Sequence, residues 1–421
     1  MINQKSIQTI KKEGQFSKHF VRPLYESYNT IKVIEIIKYL LRINNEINFP
    51  NDLIKNDKQP KKIILFLIDG FAWQFIDKFK DHPFIIWAIK NGILSKITSQ
   101  FPSTTAAHVT LFHSGNPVGQ SGIYEWNYYE PKVDAIISPL LFSYAGDKSR
   151  DTLIKKTQVN PKTILPRSTF YQLLKKNGVK SFIFQHQEYT SSTYSYQLFK
   201  GAYVFPYKTL SEAITNLFLI LHKENNFSYY FLYFDKIDSI SHQYGPNSSQ
   251  TANEILTFLS IMEKLLIPFF EKNYRQTVFL MTADHGQIEV EPENSFYINK
   301  KATAILKYLK TNKKGEYLVP AGSPRDMFLY IKEEHLRKTK NILEKKLQGK
   351  GEVFLTSDLI KEGFFGNKIS KTFLSRVGNL VILPYKNQTV WWYEKDKFEM
   401  RFCGHHGGLS KEEMEVGLTV L

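Results

Sequence analysis

The sequence has a single cysteine, Cys403, so no disulfide can form within the chain. A fold held together by disulfides is excluded, and a reducing cytosol fits this composition. The first residues, MINQKSIQTIKKEGQF, lack the apolar core of a secretory signal peptide. No stretch reaches about 18 uninterrupted apolar residues, so we expect no membrane span and predict a cytoplasmic protein.

Several familiar motifs are also missing. The sequence has no Walker loop and no G-x-G-x-x-G. It has no G-x-S-x-G turn, so a serine triad of the α/β-hydrolase kind has no support. There is no internal repeat, no low-complexity tract and no dedicated nucleic-acid-binding module.

The composition favours a folded chain with an anionic partner. Hydrophobic residues make up 42% of the 421 residues, which is ample for a sizeable core. The formal net charge of +16 favours nucleic acid, a membrane surface or a phosphorylated substrate. A solvated, lysine-rich surface is the alternative, because the lysines are scattered along the chain.

Short apolar runs that stop at polar residues predict strands of a buried parallel sheet. Helical patterns around 168–176 and 254–270 separate some of these runs, so we expect right-handed crossovers and a doubly wound, mostly parallel α/β sheet with helices on both faces. The predicted strands are 63–68, 181–184, 229–234 and 277–282.

Changes of pattern divide the chain into predicted parts. Residues 1–60 form an N-terminal extension, in which a helix over 31–43 docks on the main domain rather than on a membrane. The core covers 61–290 and resumes at 401–421. Between them, residues 291–400 form a smaller α+β cap or insertion.

Four segments place carboxylates and imidazoles close together in the sequence. Asp69 ends a predicted strand, Asp238 and His242 share a helical face, and a second Asp-His pair follows another strand. Each segment alone has an ordinary explanation, such as a turn or a helix cap. Together they supply three Asp and three His, enough for two divalent cations, with Zn²⁺ favoured and Mn²⁺ or Fe as alternatives. The remaining members are Asp284, His285 and the His405-His406 pair.

A fifth segment, FPSTTAAHVTLFHSG, begins at Phe101 and offers hydroxyl groups. A hydroxyl becomes a nucleophile when a metal lowers its pKa or a base removes its proton. A helix N-cap is the ordinary role of such a Ser/Thr-rich turn.

The ordered set LIDG, FPSTT, IDSISHQYGP, TADHG and GHHGG resembles the alkaline phosphatase superfamily. It is most similar to the type I phosphodiesterase and nucleotide pyrophosphatase family, over about residues 61–290 and 401–421. The resemblance implies an alkaline-phosphatase-like fold, two divalent cations about 4 Å apart and a phospho-threonine intermediate.

The resemblance also implies residue roles. The family's nucleophile lies three residues after the proline of F-P-x-x-T and ten before a glycine, which selects Thr105, with Thr104 as its rival. One cation would be held by Asp69, Thr105, Asp284 and His285, and the other by Asp238, His242 and His406. His108 stands where those enzymes often carry a phosphoryl-binding asparagine, so we predict a catalytic or a structural role for it.

The stretch GIYEWNYYEP resembles a family segment near the substrate pocket. Tyr124, Trp126 and Tyr128 are candidates for stacking on a base, with core packing as the alternative. Asn127 and Arg325 are further candidates for substrate contacts, and an ordinary ion pair is the alternative for Arg325.

The function implied is hydrolysis of a phosphodiester or nucleotide pyrophosphate bond. Alternatives on the same site are a phosphomonoesterase and a phosphonoacetate-hydrolase-like C–P hydrolase. A third alternative is a basic binding protein without catalytic activity. The sequence leaves the natural substrate and the oligomeric state open.

Overall fold

A computed structural model of the chain describes residues 1–55, 60–273 and 276–421. Residues 56–59 of the predicted extension and residues 274–275 lie outside the described residues. The strands are β1 (Ile2–Asn3), β2 (Lys62–Ile68), β3 (Ile93–Thr98), β4 (Tyr128–Glu130), β5 (Ala135–Ser138), β6 (Ser143–Tyr144), β7 (Lys180–His186), β8 (Tyr203–Tyr207), β9 (Ser228–Phe234), β10 (Thr277–Thr282), β11 (Ile288–Glu289), β12 (Phe296–Tyr297), β13 (Met327–Leu329), β14 (Gly351–Leu355), β15 (Leu380–Pro384), β16 (Val390–Trp391), β17 (Gly404–His405) and β18 (Glu415–Val420).

The helices separate these strands along most of the chain. They are α1 (Gln4–Glu13), α2 (Ile31–Leu40), α3 (Trp73–Lys78), α4 (Pro83–Asn91), α5 (Thr105–Ser114), α6 (Val118–Ser121), α7 (Thr152–Thr157), α8 (Pro161–Ile164), α9 (Phe170–Lys176), α10 (Gln187–Thr190), α11 (Thr193–Leu198), α12 (Leu210–Lys223), α13 (Lys236–Tyr244), α14 (Ser249–Asn273), α15 (Ile298–Lys301), α16 (Leu336–Lys346), α17 (Thr356–Lys361), α18 (Lys371–Arg376) and α19 (Lys411–Met414). No helix in the described ranges is both long and apolar enough to cross a membrane.

The central sheet has eight strands in the order β1-β3-β18-β10-β2-β9-β7-β8. All neighbours are parallel except β18, which is antiparallel to both β3 and β10. The predicted mostly parallel sheet is therefore confirmed. Because β10, β2 and β9 run side by side in one direction, their carboxyl ends meet at one edge of the sheet.

The core strands are apolar because both faces of the sheet are covered. Every residue of β9 and β10 is buried, and so is every residue of β2 except Lys62. The N-terminal helix α2 joins this same core through Val33, Ile34 and Ile37. It ends at Leu40, three residues before the end of the predicted helix.

Residues 296–400 contribute a second hydrophobic core. Strand β15 pairs with both β13 and β14, and helix α16 places Leu343 in the same cluster. Farther along the chain, β17 pairs with β11, so the segment GHHGG lies directly beside the residues that follow β10.

A buried ion pair ties several loops together. The Arg376 guanidinium lies 2.6 Å from the carboxylate of Glu130, and neither side chain is more than 3% exposed. Arg376 also donates to the backbone carbonyls of Gly122 and Ile164. A buried pair of this kind is costly to break because the remaining charge is left without a partner.

We predict that Arg376→Met lowers the free energy of unfolding by about 3–5 kcal/mol, because Glu130 would keep a buried, unpaired charge. Urea denaturation followed by circular dichroism measures this loss. Lys340→Met is the matched control, since Lys340 pairs with Glu344 at the surface and should cost less than about 1 kcal/mol. Equal losses in the two variants would contradict the prediction.

Candidate active site

The ends of three parallel strands supply most of the candidate site. Asp69 directly follows β2, and Asp284 and His285 follow β10 by two and three residues. Asp238 and His242 lie on α13, which begins directly after β9 and Asp235. His406 follows β17, and the pairing of β17 with β11 holds it beside His285, with the two rings 3.6 Å apart.

The imidazoles of His242, His285 and His406 each place Nδ1 against a backbone carbonyl. The Nδ1 atom of His242 lies 2.7 Å from the Gly404 carbonyl, and that of His406 lies 3.0 Å from the Ser103 carbonyl. His285 Nδ1 lies 3.2 Å from its neighbour's carbonyl, that of Gly286. A carbonyl can only accept, so each Nδ1 carries the proton and each Nε2 lone pair is left for the site. Metal-binding histidines are oriented in this way.

The carboxylates are also held in fixed positions. Asp284 Oδ1 accepts hydrogen bonds from the backbone N–H groups of Gly70 (3.1 Å) and His285 (3.0 Å). Its other oxygen, Oδ2, is buried and has no hydrogen-bond partner among the described residues. Tyr233 donates to Asp69, and Gln287 donates to Asp238. Each carboxylate therefore keeps capacity for a further partner.

The six side chains form two overlapping candidate metal groups. In each group, one ligand atom from every member lies within 4.8 Å of the others. Asp69, Asp284 and His285 make the first group, and Asp238, His285 and His406 make the second. His242 adjoins the second group, with its Nε2 3.4 Å from Asp238 Oδ2.

The Thr105 hydroxyl also reaches this cluster. Its Oγ1 lies 3.1 Å from His285 Nε2 and 3.3 Å from Asp69 Oδ2. Thr105 is the first residue of α5, whose terminal N–H groups have no partner within the helix. The helix ends at Gly115, whose φ of 75° is a conformation that favours glycine. This explains in physical terms the glycine ten residues after Thr105.

The rival hydroxyl, Thr104, is the N-cap residue of α5 and is 1% exposed. Among the described residues, its hydroxyl makes no hydrogen bond to Asp69 or to the candidate imidazoles, whereas that of Thr105 does. The geometry thus selects Thr105 over Thr104 as the hydroxyl next to the candidate ligands.

Burial and the repulsion between like charges shift the pKa values of several groups in the site. Burial, with the neighbouring Asp284 and Asp238, raises the pKa of Asp69 well above its usual value. Burial raises the pKa of Asp284 to about 7. Burial and the adjacent histidines hold the pKa of His285 and His406 well below the usual range, so both rings are neutral.

The side chains of the site are suited to binding divalent cations. No lysine or arginine forms an ion pair with Asp69, Asp238 or Asp284 within the described ranges. Three carboxylates and three imidazoles, each with its Nε2 directed to the site, match the mixed ligands that Zn²⁺ and similar ions prefer. A buried carboxylate oxygen without a partner, Asp284 Oδ2, is the group that such an ion would satisfy.

Of the two roles predicted for His108, catalytic and structural, its surroundings fit the structural one. The ring is fully buried, and its Nδ1 lies 2.9 Å from the Thr104 carbonyl. Its Nε2 accepts from the backbone N–H of Gln100 (3.1 Å) and lies 3.0 Å from the Ser99 hydroxyl. Burial lowers the pKa of His108 to about 4. Both ring nitrogens are therefore occupied inside the protein, which is the structural role.

The predicted substrate residues are divided between the cleft and the interior. Tyr124 and Tyr128 are 0% exposed and stack on each other in the core. Arg325 is also fully buried, and its guanidinium makes two hydrogen bonds of 3.0 Å to Glu413. None of these three side chains is available to a substrate. Trp126 is 40% exposed, and it lines the cleft together with Asn127.

Two cavities flank Thr105. We call the first the Arg150 cavity; it has a volume of about 180 Å³, and its walls include Asp69, Trp126, Arg150, Gln185, Tyr189 and Asp235. We call the second the Trp391 cavity; it has a volume of about 330 Å³ and is bounded by Trp126, His242, Trp391, Phe402 and His406. Trp126 stands between the two cavities.

Several residues that line the site or contact its ligands were not predicted from the sequence. Tyr233 and Gln287 lie close to predicted ligands in the sequence, and a polar atom near a strand end was the available signal. Arg150, Trp391 and Phe402 lie far from every motif, so no sequence signal marked them.

The chain matches a known protein family. Residues 63–409 match the sequence model of the type I phosphodiesterase / nucleotide pyrophosphatase family. That span is most of the chain, and it includes every predicted metal ligand.

Solved structures share the fold at low sequence identity. Murine ectonucleotide pyrophosphatase / phosphodiesterase 5 has a TM-score of 0.64 at 15% identity, covering 85% of this chain and 87% of its own. An inactive threonine-to-alanine variant of that protein, in complex with AMP, has a TM-score of 0.63 at 14% identity, with the same coverage. Phosphonoacetate hydrolase from Sinorhizobium meliloti 1021, in complex with phosphonoformate, has a TM-score of 0.61 at 16% identity, covering 86% and 90%.

These likenesses show an alkaline-phosphatase-like fold, as predicted. With a family match over residues 63–409 and the candidate ligands gathered at one sheet edge, the chain belongs to the type I phosphodiesterase / nucleotide pyrophosphatase family, a family of metal-dependent hydrolases.

Proposed function

We propose that this protein is a two-metal hydrolase of phosphate esters that cleaves phosphodiester or nucleotide pyrophosphate bonds through a phospho-threonine intermediate on Thr105. The observation that carries the proposal is the position of the Thr105 hydroxyl, 3.1 Å from His285 Nε2 and 3.3 Å from Asp69 Oδ2. A threonine hydroxyl beside a buried carboxylate and a neutral imidazole has the surroundings of an activated nucleophile.

The ligands divide into two sets. Asp69, Thr105, Asp284 and His285 would hold one divalent cation, and Asp238, His242 and His406 would hold the other. We favour Zn²⁺, with Mn²⁺ or Fe as alternatives, because the ligands mix imidazole and carboxylate. When bound, such ions polarise a phosphoryl oxygen and lower the pKa of a coordinated hydroxyl or water.

The chain's own groups carry out the transfer. The Thr105 hydroxyl gives up its proton to solvent as its oxygen attacks phosphorus in line, the bond to the leaving oxygen breaks, and that oxygen takes up a proton from solvent. The oxygen of a water molecule then attacks the phospho-threonine, and the bond between phosphorus and the Thr105 oxygen breaks. A proton from that water restores the Thr105 hydroxyl, and the phosphate product is released. The N–H groups at the start of α5, including that of Ala106, face the negative charge that develops on the phosphoryl oxygens.

The relatives support this chemistry. The murine pyrophosphatase / phosphodiesterase is described as inactive after one threonine-to-alanine change, and that variant is in complex with AMP. The net charge of +16 suits an anionic substrate of this kind, because it raises the rate of encounter.

We predict that Thr105→Ala lowers kcat for an activated diester by at least about a thousandfold, because no other serine or threonine hydroxyl of the described residues bonds to the candidate ligand side chains. Thr105→Ser should retain part of the activity and still form a phosphoryl-enzyme. Acid quenching followed by peptide mass spectrometry locates the phosphate, with Thr104→Ala as the matched control. Phosphate on Thr104, or near-native turnover by Thr105→Ala, would contradict the assignment.

We predict that Zn²⁺ or Mn²⁺ stabilises the protein more strongly at pH 8 than at pH 5.5. Folding raises the pKa of Asp284 from 3.8 to about 7. The folded protein therefore holds the Asp284 proton more tightly than the unfolded chain does. The resulting stabilisation of the folded state is complete below about pH 4 and is lost as the pH rises through about 7. A bound cation offsets that loss and, at a hundred times its Kd, adds about 2.7 kcal/mol.

Thermal denaturation of EDTA-treated protein, with and without added metal, measures both effects. Asp284→Asn should show a smaller metal-induced rise in Tm and a weaker dependence of that rise on pH. A Tm that does not respond to metal at either pH would exclude the predicted centre.

We predict a preference for diesters over monoesters. The test compares kcat/KM for p-nitrophenyl phosphate, bis-p-nitrophenyl phosphate and p-nitrophenyl thymidine monophosphate, each with and without Zn²⁺ or Mn²⁺. A higher value for the monoester would identify a phosphomonoesterase. Release of phosphate from phosphonoacetate would identify a C–P hydrolase on the same residues.

A further inference from the structure

The Arg150 cavity holds a cation that the proposed reaction does not use. Arg150 and Thr105 line the same cavity. The Arg150 guanidinium lies over the Tyr189 ring, 5.3 Å from its centre. Within the described part of the chain, Arg150 makes no ion pair and no side-chain hydrogen bond. Its five N–H donors are thus free to bind a ligand.

Tyr189 gives this cation a fixed position. The Tyr189 hydroxyl donates a 2.5 Å hydrogen bond to Asp235 Oδ2. Asp235 is 6% exposed and immediately precedes α13, the helix that carries Asp238. The ring that supports Arg150 is therefore tied to the strand end that positions a predicted metal ligand. Stacking on a fixed ring holds a guanidinium in place without using its hydrogen-bond donors.

A second polar group in the same cavity also has no partner. The side-chain oxygen of Gln185 is buried and accepts no hydrogen bond from the described residues, and Gln185 is only 7% exposed. Leaving a buried acceptor unpaired costs about 1–3 kcal/mol, so a group that donates to it from the cavity is favoured. The two unpaired groups, one cationic and one an acceptor, point to a ligand that fills this space.

The charges of the cavity define that ligand. Carboxylates of the candidate metal cluster line one part of its wall, where the scissile phosphorus would lie beside Thr105. Arg150 provides the positive charge elsewhere on the wall. Guanidinium binds both carboxylate and phosphate groups through paired hydrogen bonds, so the shared chemistry is a second anionic group.

We propose that Arg150 binds a second anionic group of the substrate, either a carboxylate or a further phosphate, on the part of the molecule that enters the Arg150 cavity. This inference rests on the proposed function, because it takes the phosphorus that reacts to lie at Thr105. The preferred substrates are then bifunctional anions rather than simple alkyl or aryl esters. A hydroxyl or amino group on the same part of the substrate would donate to Gln185.

The test measures binding rather than turnover. Isothermal titration calorimetry on the full-length, Zn²⁺-loaded protein compares alkylphosphonates of increasing chain length with derivatives that carry a terminal carboxylate or a terminal second phosphonate. We expect the terminal anion to tighten Kd about tenfold at the best chain length, as charge-assisted hydrogen bonds to arginine allow. The two derivatives show which anion the cavity prefers.

Three variants assign the effect to Arg150. Arg150→Gln should remove the gain from the terminal anion, and Arg150→Lys should keep part of it because the charge remains. Arg337→Gln is the matched control, since Arg337 is exposed on α16 and lines neither cavity, and it should keep the full gain. Thermal denaturation checks that each variant is folded.

Two results would overturn the inference: no gain from the terminal anion in the unmodified protein, or a full gain in folded Arg150→Gln. Hydrolysis of bis-p-nitrophenyl phosphate is followed in parallel. If the diester is hydrolysed but the terminal anion does not tighten Kd, the role of Arg150 is refuted and the proposed function stands. A gain that depends on Arg150, without hydrolysis, refutes the proposed function and leaves the anion site standing.

Discussion

Repulsion among three largely buried carboxylates is the constraint around which this structure is arranged. Asp69, Asp238 and Asp284 come from the ends of adjacent strands, and no lysine or arginine pairs with any of them in the described ranges. An arrangement of this kind is unfavourable for a folded chain unless positive charge arrives from outside. The three imidazoles, each with its Nε2 directed to the site, are consistent with that requirement.

Much of this arrangement could be predicted from the sequence, because its causes are local. The predicted strands 63–68, 229–234 and 277–282 agree with β2, β9 and β10 to within one residue at either end. Apolar runs that stop at an aspartate mark both the strand and the edge where ligands gather. The order of motifs then identified the family, which the match over residues 63–409 confirms.

The remainder depends on contacts between distant parts of the chain. The direction of the His108 ring is set by the Gln100 backbone and Ser99, and no pattern along α5 reveals that its two nitrogens are occupied. Tyr124 and Tyr128 look like stacking residues in the sequence, yet neighbouring aromatic side chains enclose them. Arg150 lies outside every motif and becomes significant only because the fold places it in the cavity beside Thr105.

The position of β18 has a consequence for how the protein is made. Among the described strands of the central sheet, β1 and β3 are joined to the others only through β18, which is formed by residues 415–420. Until those residues leave the ribosome, the edges of β3 and β10 remain unpaired, and exposed strand edges of this kind favour association with other chains. Thr105 follows β3, and the candidate carboxylate ligands follow strands on the other side of β18. The sheet that brings Thr105 to these ligands is therefore complete only after residues 415–420 have been made, although every one of the motifs is translated before them.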